Sequence, residues 1–189
     1  MSLSDLNWRP PPLRTARLLL RGYEPSDAAA IHVYASDPET TRYMAWDRHT
    51  SIEGAHAFLN GWIKDAYEQR QHEYAVCLLA SPERVIGGVG ARVISAPHRT
   101  MELGYILARE HWGRGLIPEA GRAVIEHAFR TTDVQRIYAP ILAENARSRR
   151  AAEKMGLTLD GVLRSALELR GRRWDEAIYS VLRGEWRGA

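Results

Sequence analysis

The chain has 189 residues, of which 45% are hydrophobic, a formal net charge of +3 and a single cysteine, Cys77. This length and composition are typical of one globular domain spanning residues 1–189, and a single cysteine excludes a disulfide framework within the chain. The 26 basic residues are spread along the sequence rather than clustered with aromatic residues, and residues 1–12 contain no long apolar run. We therefore expect a cytoplasmic protein without nucleic-acid or membrane partners.

The predicted elements alternate along the chain. Alternating apolar and polar residues predict strands, and apolar residues at i, i+3, i+4 and i+7 predict helices. Seven strands are predicted at residues 17–23, 73–79, 85–95, 100–107, 136–141, 158–169 and 173–183. Four helices are predicted at residues 26–35, 51–69, 116–130 and 145–155. This order indicates an α/β chain of the α+β type, with one twisted seven-stranded sheet of mixed parallel and antiparallel strands.

The junction between strand 100–107 and helix 116–130 is the most informative part of the sequence. It reads Trp112, Gly113, Arg114, Gly115, Leu116, Ile117. Two glycines let the backbone approach a ligand closely, and the first turn of the helix offers unpaired N–H groups and the positive end of its dipole. Arg114 adds a full positive charge. The junction therefore predicts a phosphate-binding turn.

The kind of phosphate ligand can be narrowed by elimination. The dinucleotide pattern G-x-G-x-x-G fails because its third glycine would fall at Pro118. The nucleoside-triphosphate loop G-x-x-x-x-G-K-[ST] is absent from the sequence. Other diphosphate carriers are left, chiefly coenzyme A.

These residues resemble the GCN5-related N-acetyltransferases (GNAT), whose acetyl-coenzyme A turn has the pattern Q/R-x-x-G-x-G/A. Gly115 keeps the central glycine, while Trp112 and Ile117 replace the two ends of the pattern. The following Glu119 and Ala120 are typical of the branch that contains the ribosomal-protein N-terminal acetyltransferases. Further similar segments lie at residues 41–46, 101–107, 144–148, 153–157, 161–164 and 179–186. The resemblance covers about residues 13–186, leaving residues 1–12 as an expected extended arm.

The resemblance implies direct transfer of acetyl from acetyl-coenzyme A to a primary amine, without a metal. A protein N-terminal α-amine of the ribosomal type is the leading acceptor. Deprotonating an α-amine with a pKa near 8 costs only about 1.4 kcal/mol at pH 7, against about 4.6 kcal/mol for a lysine side chain. A small amine, such as an antibiotic, polyamine or amino acid, is an alternative acceptor. A non-catalytic sensor that binds acyl-coenzyme A is a second alternative, and the chain is expected to be a monomer or homodimer.

The resemblance also assigns residues to the coenzyme. The thioester carbonyl is expected to accept a backbone N–H from the stretch Tyr105, Ile106, Leu107, and the phosphates are expected at Trp112–Ile117. Asn145 is predicted to cap its helix by accepting from the N–H of Ser148, and the resemblance implies that it also contacts the pantetheine arm of the coenzyme. Ser148 lies on the inward face of that helix, and the resemblance makes it the donor to the departing sulfur.

Glu102 is the general base that the sequence favours, although alternation places it on the face opposite Tyr105 unless a bulge intervenes. The related branch often carries a glutamate nineteen positions after the serine, where this chain has Leu167. Glu168 could take that role only through a bulge or register shift, and His72 and Glu73 are weaker substitutes. Three aromatic residues are predicted to form the acceptor pocket: Tyr34, Tyr43 and Trp46. The seven histidines show no metal-ligand spacing.

Overall fold

A computed structural model describes residues 3–188 and contains one mixed sheet flanked by helices on both faces. The strands are β1 (Leu13–Arg14), β2 (Leu18–Arg21), β3 (His72–Leu78), β4 (Ser81–Ser95), β5 (Thr100–Leu107), β6 (Arg136–Leu142), β7 (Thr158–Leu169) and β8 (Arg172–Leu182). Their order across the sheet is β1-β2-β3-β4-β5-β6-β8-β7. Every neighbouring pair is antiparallel except β5 and β6, which are parallel.

The sheet has eight strands, so the prediction of seven is wrong by one. The additional strand, β1, has only two residues, and Leu13 pairs with Leu20 of β2. A two-residue strand carries no alternation that the sequence pattern could reveal. The other seven strands lie where they were predicted, which confirms the mixed α/β architecture.

The helices are α1 (Ala28–Ala35), α2 (Pro38–Thr41), α3 (Ile52–Phe58), α4 (Lys64–Glu68), α5 (Leu116–Thr131) and α6 (Ala146–Met155). A π-helical turn, Leu59–Ile63, joins α3 to α4, so the single helix predicted at residues 51–69 is present as three consecutive segments. The short helix α2 was not predicted; it begins with Pro38 and is capped by Asp37, whose side chain accepts from the N–H groups of Glu39 and Thr40. No helix within residues 3–188 has both the length and the apolar character required to span a bilayer.

Two apolar clusters hold the sheet between the helices. One face packs against α5 and α6, with Val124, Ile125 and Met155 fully buried. The opposite face packs against α1 and α3, where Ile31 and Leu59 are buried. Burying a side chain of this size stabilises the fold by about 1.5 to 3 kcal/mol, which fixes both helix layers on the sheet.

The segment before β1 packs against the second cluster. Residues 3–12 therefore do not form the extended arm that was expected over residues 1–12. Leu3–Asp5 make a turn of 3₁₀-helix, and Leu3 is fully buried. The ring of Trp8 meets that of Tyr67 edge to face at 5.9 Å. Apolar side chains at residues 3, 6 and 8 therefore dock this segment onto the sheet.

The strands β5 and β6 part beyond their first three residues. Pairing joins Thr100 to Arg136, Met101 to Ile137 and Glu102 to Tyr138, and then ends. The rest of β6, up to Leu142, pairs with β8 instead. A gap therefore opens in the middle of the sheet beside Gly104–Leu107.

Candidate active site

A cavity of about 570 Å³ passes through the sheet at the gap between β5 and β6. Tyr105 and Ile106 both line it, although adjacent strand residues point to opposite faces. On one face the cavity is bounded by the first turns of α5 and α6, and on the other by residues 42–44 after α2. The cavity thus connects two sides of the molecule, so two molecules could meet within the sheet.

The glycine turn forms one wall of the cavity through its backbone. Gly113 and Gly115 have φ values of +77° and +73°, a conformation that residues with a Cβ adopt only with strain. Helix α5 begins at Leu116, and the N–H groups of Leu116 and Ile117 in its first turn have no partner within the helix. The turn therefore presents backbone donors and the positive end of a 16-residue helix to the cavity.

The turn is fixed to the sheet from β1 and β2. Arg17 donates to the backbone carbonyl of Arg114 at 2.9 Å and makes an ion pair of 2.6 Å with Glu119. The indole N–H of Trp112 donates to the carbonyl of Leu107 at 2.7 Å. The Arg114 side chain is exposed and does not line the cavity, unlike its two neighbouring glycines. The positive charge expected from Arg114 is supplied at the cavity wall by other residues.

Those residues lie on α6, across the cavity from the glycine turn. Arg147, Arg150 and Lys154 all line the cavity, and the guanidinium of Arg147 lies 4.5 Å from the ring centroid of Trp112. Their spacing of i, i+3 and i+7 puts them on one helix face. This cationic face of α6 was not predicted from the sequence, although the i, i+3, i+7 spacing of its basic residues is a pattern that could have revealed it. The cavity is consequently suited to a ligand with several negative charges.

The start of α6 is fixed by the predicted cap. The side-chain oxygen of Asn145 accepts from the backbone N–H of Ser148 at 3.2 Å, which confirms the capping prediction. Asn145 and Ser148 both line the cavity. Capping stabilises a helix by about 1 kcal/mol, so Asn145 fixes the position from which Ser148 enters the cavity.

Ser148 and Tyr105 form a hydrogen-bonded pair across the cavity. The hydroxyl of Ser148 donates to the hydroxyl of Tyr105 at 2.8 Å, and the Tyr105 hydroxyl donates to the carbonyl of Ser148 at 3.0 Å. Burial raises the pKa of Tyr105 to about 12, although the bond from Ser148 acts in the opposite direction. The tyrosine is therefore protonated at neutral pH and can serve as a proton donor. Only the backbone of Tyr105 was expected at the site, and the contact of its side chain with Ser148 was not predicted.

Glu102 lies on the opposite face from Tyr105, as strand alternation predicts, and does not line the cavity. One carboxylate oxygen accepts from Arg92 at 2.8 Å, and the other accepts from the hydroxyl of Tyr138 at 3.0 Å. No register shift occurs between β4 and β5 at this residue. The Glu102 carboxylate is thus held by a cation and a hydroxyl on the face that the amine acceptor would approach.

The three aromatic residues predicted to form the acceptor pocket are not brought together. Tyr43 lines the cavity and meets the ring of Trp174 at 6.1 Å. Tyr34 is only 4% exposed and belongs to the cluster beneath α1, so it lies in the core beside a separate hollow of about 240 Å³. Trp46 packs against the same cluster and does not line the cavity. The apolar face of α1 explains the outcome for Tyr34, because its ring fills the space between helix and sheet.

Arg170 joins the loop containing Tyr43 to the hairpin between β7 and β8. Its guanidinium makes an ion pair of 3.0 Å with Asp47 and donates to the carbonyls of Met44 and Trp46 at 3.2 and 2.8 Å. Arg170 has φ +52° and precedes Gly171 with φ +72°, which forms the tight turn of the hairpin. Arg170 therefore fixes the hairpin to the loop, whose residues 42–44 line the cavity.

None of the residues considered as substitutes for the missing glutamate lines the cavity: these are Glu168, His72 and Glu73. Glu168 is 59% exposed and pairs with its cross-strand neighbour Arg173 at 3.3 Å. The ring of His72 meets that of His127 at 5.1 Å, and burial lowers the pKa of His72 to about 4. Within residues 3–188 no three His, Cys, Asp or Glu side chains are grouped to bind a metal ion.

Comparison with known proteins agrees with this arrangement. Residues 17–158 match the family described as the acetyltransferase (GNAT) domain. The uncharacterized N-acetyltransferase p20 of Bacillus licheniformis is 32% identical over 176 residues, covering 93% of this chain and 98% of that protein.

Solved structures show the same fold. A GNAT-family acetyltransferase from Bacillus anthracis has a TM-score of 0.82 and 25% identity, covering 93% of this chain and all of that one. The microcin C7 self-immunity acetyltransferase MccE, solved in complex with acetyl-CoA and AMP, has a TM-score of 0.79 and 21% identity over 89% of this chain and 93% of its own. The chain therefore belongs to the GNAT family and is an acetyl-CoA-dependent N-acetyltransferase.

Proposed function

We propose that this enzyme transfers acetyl from acetyl-CoA directly to a primary amine, and that its leading acceptor is a protein N-terminal α-amine of the ribosomal type. The observation that carries the proposal is the cavity that passes through the sheet, because it lets a thioester on one face meet an amine from the other. In the proposal the enzyme acts as a single domain in the cytoplasm, as a monomer or homodimer.

Each wall of the cavity has a role in this proposal. The phosphates of acetyl-CoA would bind the first turn of α5 and the cationic face of α6, where backbone N–H groups and positive side chains converge. The thioester carbonyl would accept a backbone N–H from Tyr105–Leu107, at the edge that β6 leaves unpaired. The pantetheine arm would pass Asn145 and reach Ser148.

The Ser148–Tyr105 pair would protect the departing sulfur. As the amine nitrogen bonds to the acetyl carbon, the carbon–sulfur bond breaks and the sulfur gains negative charge. Both hydroxyl protons are engaged within the pair, so one of them would turn from its present acceptor to the sulfur and stabilise that charge at close range. A thiol with an ordinary pKa near 8.5 needs only about 2 kcal/mol of help at pH 7, which one such donor can supply.

Two relatives with named acceptors represent the alternatives. The ribosomal-protein-serine acetyltransferase of Escherichia coli is 28% identical over 58% of this chain. The spermidine N(1)-acetyltransferase of Vibrio cholerae is 23% identical over 90% of this chain. The α-amine of a peptide terminus needs only a modest base, because deprotonating it at pH 7 costs about 1.4 kcal/mol, and this favours a peptide terminus over an alkylamine with a pKa near 10.

The acceptor can be identified by free-thiol release from acetyl-CoA in the presence of single acceptors. The panel comprises peptides with a free N-terminus, the same peptides with a blocked N-terminus and a free lysine, polyamines and aminoglycosides. We expect turnover with free N-termini and at least tenfold less with their blocked counterparts. Turnover confined to polyamines or aminoglycosides would contradict the peptide assignment, and coenzyme binding without turnover on any amine would contradict acetyl transfer itself.

A further inference from the structure

The absence of a side chain at Gly104 leaves a small hollow on the face of the sheet opposite α5 and α6. Glu73 of β3 pairs with Gly90 of β4, and Gly90 pairs with Gly104 of β5, so the three residues form one row across the sheet. A Cβ placed on Gly90 would lie 2.0 Å from Oε2 of Glu73, which shows that the carboxylate lies directly over Gly90. A Cβ placed on Gly104 would meet no atom within 4 Å.

The hollow adjoins the mouth of the cavity. Ile106 lines the cavity and lies two residues beyond Gly104 on the same face of β5, about 7 Å along the strand. Pairing of β5 with β6 ends at Glu102, so Gly104 borders the gap in the sheet. Gly104 therefore lies at the unpaired edge of β5, one residue pair along the strand from the position that lines the cavity.

The two carboxylates beside this hollow differ in their partners. Glu102 is held by Arg92 and by the hydroxyl of Tyr138. Among the residues that the structure describes, none makes an ion pair or hydrogen bond with the Glu73 carboxylate within ordinary distances. Of the two, Glu73 is the carboxylate whose lone pairs are left for a ligand.

We propose, on the basis of the acetyl-transfer function above, that Glu73 accepts the proton of the acceptor ammonium and that the acceptor nitrogen lies over Gly104. The base is therefore assigned to Glu73 of β3 rather than to Glu102 of β5. Glu102 is paired with Arg92. It influences Glu73 electrostatically and does not contact the amine.

The surroundings of Glu73 match its basicity to this task. Burial raises the pKa of Glu73 to about 7; Arg92 on β4 lowers it and Glu102 on β5 raises it. Tyr23 and Tyr67 also face the carboxylate, and both have a raised pKa and are neutral at pH 7. The equilibrium constant for proton transfer to Glu73 from an α-ammonium with a pKa near 8 is then about 1:10. For an ordinary carboxylate with a pKa near 4.5 it would be about 1:3,000.

The proposed step balances in protons and electron pairs. The ammonium gives one proton to Glu73, and the freed nitrogen lone pair attacks the acetyl carbon. The carbon–sulfur bond breaks, and its electron pair leaves on sulfur. The second proton of the nitrogen passes through the Ser148–Tyr105 pair to the departing sulfur, giving an amide and a thiol. Glu73 then releases its proton to solvent.

The test is the pH dependence of kcat in Glu73→Gln and Glu102→Gln, measured with saturating peptide acceptor. We use kcat because kcat/KM also contains the ionisation of the free amine. Wild-type kcat should fall as the pH drops below about 7, which is the acidic limb of its pH profile. Glu73→Gln is expected to lower kcat by about 10² to 10³ and to remove this limb. Glu102→Gln is expected to keep that limb and move it to lower pH, because a neighbouring negative charge is lost. Glu83→Gln, an exposed carboxylate on β4, is the matched control and should behave like wild type.

A second variant keeps the carboxylate and moves it. Gly90→Ala would place a methyl group where Oε2 of Glu73 lies, so the flexible side chain must swing away while the backbone stays. We expect kcat to fall at least about tenfold with acetyl-CoA affinity unchanged by calorimetry.

The outcomes separate this inference from the proposed function. An acidic limb retained in Glu73→Gln, or one abolished in Glu102→Gln, would overturn the assignment to Glu73 while leaving acetyl transfer in place. Wild-type enzyme that binds acetyl-CoA but acetylates no amine would overturn both. Loss of the limb in Glu73→Gln alone, with the shifted limb in Glu102→Gln, is the result that the assignment requires.

Discussion

The hydroxyl of Ser148 on α6 donates a 2.8 Å hydrogen bond to the hydroxyl of Tyr105 on β5, across the cavity that passes through the sheet. The same tyrosine hydroxyl donates to the carbonyl of Ser148, so both of its hydrogen-bonding functions are satisfied by one residue. The pair joins the helix that follows β6 to the strand that borders the gap, and in the proposed function it would relay a proton to the departing sulfur. The two side chains should therefore act as a unit.

Substituting either member of the pair should reduce turnover without weakening coenzyme binding. We expect Ser148→Ala and Tyr105→Phe each to lower kcat by about 10 to 100 times, because the departing sulfur loses its donor or the donor loses its orientation. The double variant should cost little more than either single one, since both remove the same relay. Steady-state kinetics with calorimetry of acetyl-CoA binding measures this. Two fully additive effects would show that the residues act separately.

The left-handed glycines of the turn should be required for coenzyme binding. Gly115→Ala would force a Cβ into a backbone with φ +73°, at a cost of about 1 to 2 kcal/mol, and would tilt the first turn of α5. We expect the affinity for acetyl-CoA to fall at least about tenfold. Gly171→Ala is the matched control, because its φ of +72° brings the same strain in a hairpin far from α5. Equal losses of affinity in the two variants would contradict a specific role for the turn.

The cationic face of α6 should bind the phosphates of the coenzyme. Arg150→Ala and Lys154→Ala are each expected to weaken acetyl-CoA binding by about three- to tenfold, more at low salt than at high salt. Acetyl-pantetheine, which has no phosphates, serves as the comparison ligand. Variants that weaken both ligands equally would place these residues outside the phosphate site. Arg114→Ala, whose side chain is exposed, should have a smaller effect than either.

Whether a feature of this protein can be predicted from its sequence depends on how far apart along the chain the interacting residues are. The glycine turn, the amphipathic helix α5 and the Asn145 cap are local patterns, and each is found where the sequence predicts it. The parting of β5 and β6 depends on which strands pair across the sheet, which no local pattern contains. The contact between Ser148 and Tyr105, 43 residues apart, is a consequence of that parting.

The errors have a common physical origin. Tyr34 was predicted to line the acceptor pocket by resemblance to the layout of the family, but the packing of α1 on the sheet buries it. Arg114 was predicted to supply positive charge, but the turn that presents its backbone to the cavity directs the side chain away. In both cases the side-chain direction is set by tertiary packing, and sequence spacing alone does not determine it.

The contacts that Arg170 makes with the Tyr43 loop should affect binding of the acceptor and not binding of the coenzyme. Arg170→Ala removes the ion pair with Asp47 and three hydrogen bonds to loop carbonyls, so the Tyr43 loop should lose its fixed position. We expect KM for the acceptor to rise about three- to tenfold, while acetyl-CoA affinity stays within twofold. Arg173→Ala, which removes an exposed ion pair on the same hairpin, is the control. A change in acetyl-CoA affinity would contradict a role of Arg170 that is confined to the acceptor side.

Acid should destabilise the fold partly through His72. Its pKa is lowered to about 4 by burial and by the neighbouring His127, so the unfolded chain binds more protons between about pH 6.5 and 4. The free energy of unfolding should therefore fall as pH drops through this window. We expect His72→Gln to recover about 1 kcal/mol of the difference between pH 7.5 and 5, with partial exposure reducing the full effect. Urea unfolding at the two pH values measures it, and an unchanged difference would exclude His72 as a contributor.

Intact-mass measurement of the enzyme and acceptor during turnover tests direct transfer, the central claim, most closely. Enzyme mixed with acetyl-CoA alone should keep its unmodified mass. After a free-amine peptide is added, each thiol released should match one acetyl group gained by the peptide. An acetylated enzyme that passes its acetyl group to the peptide, or thiol release without peptide acetylation, would contradict direct attack of the amine within the cavity.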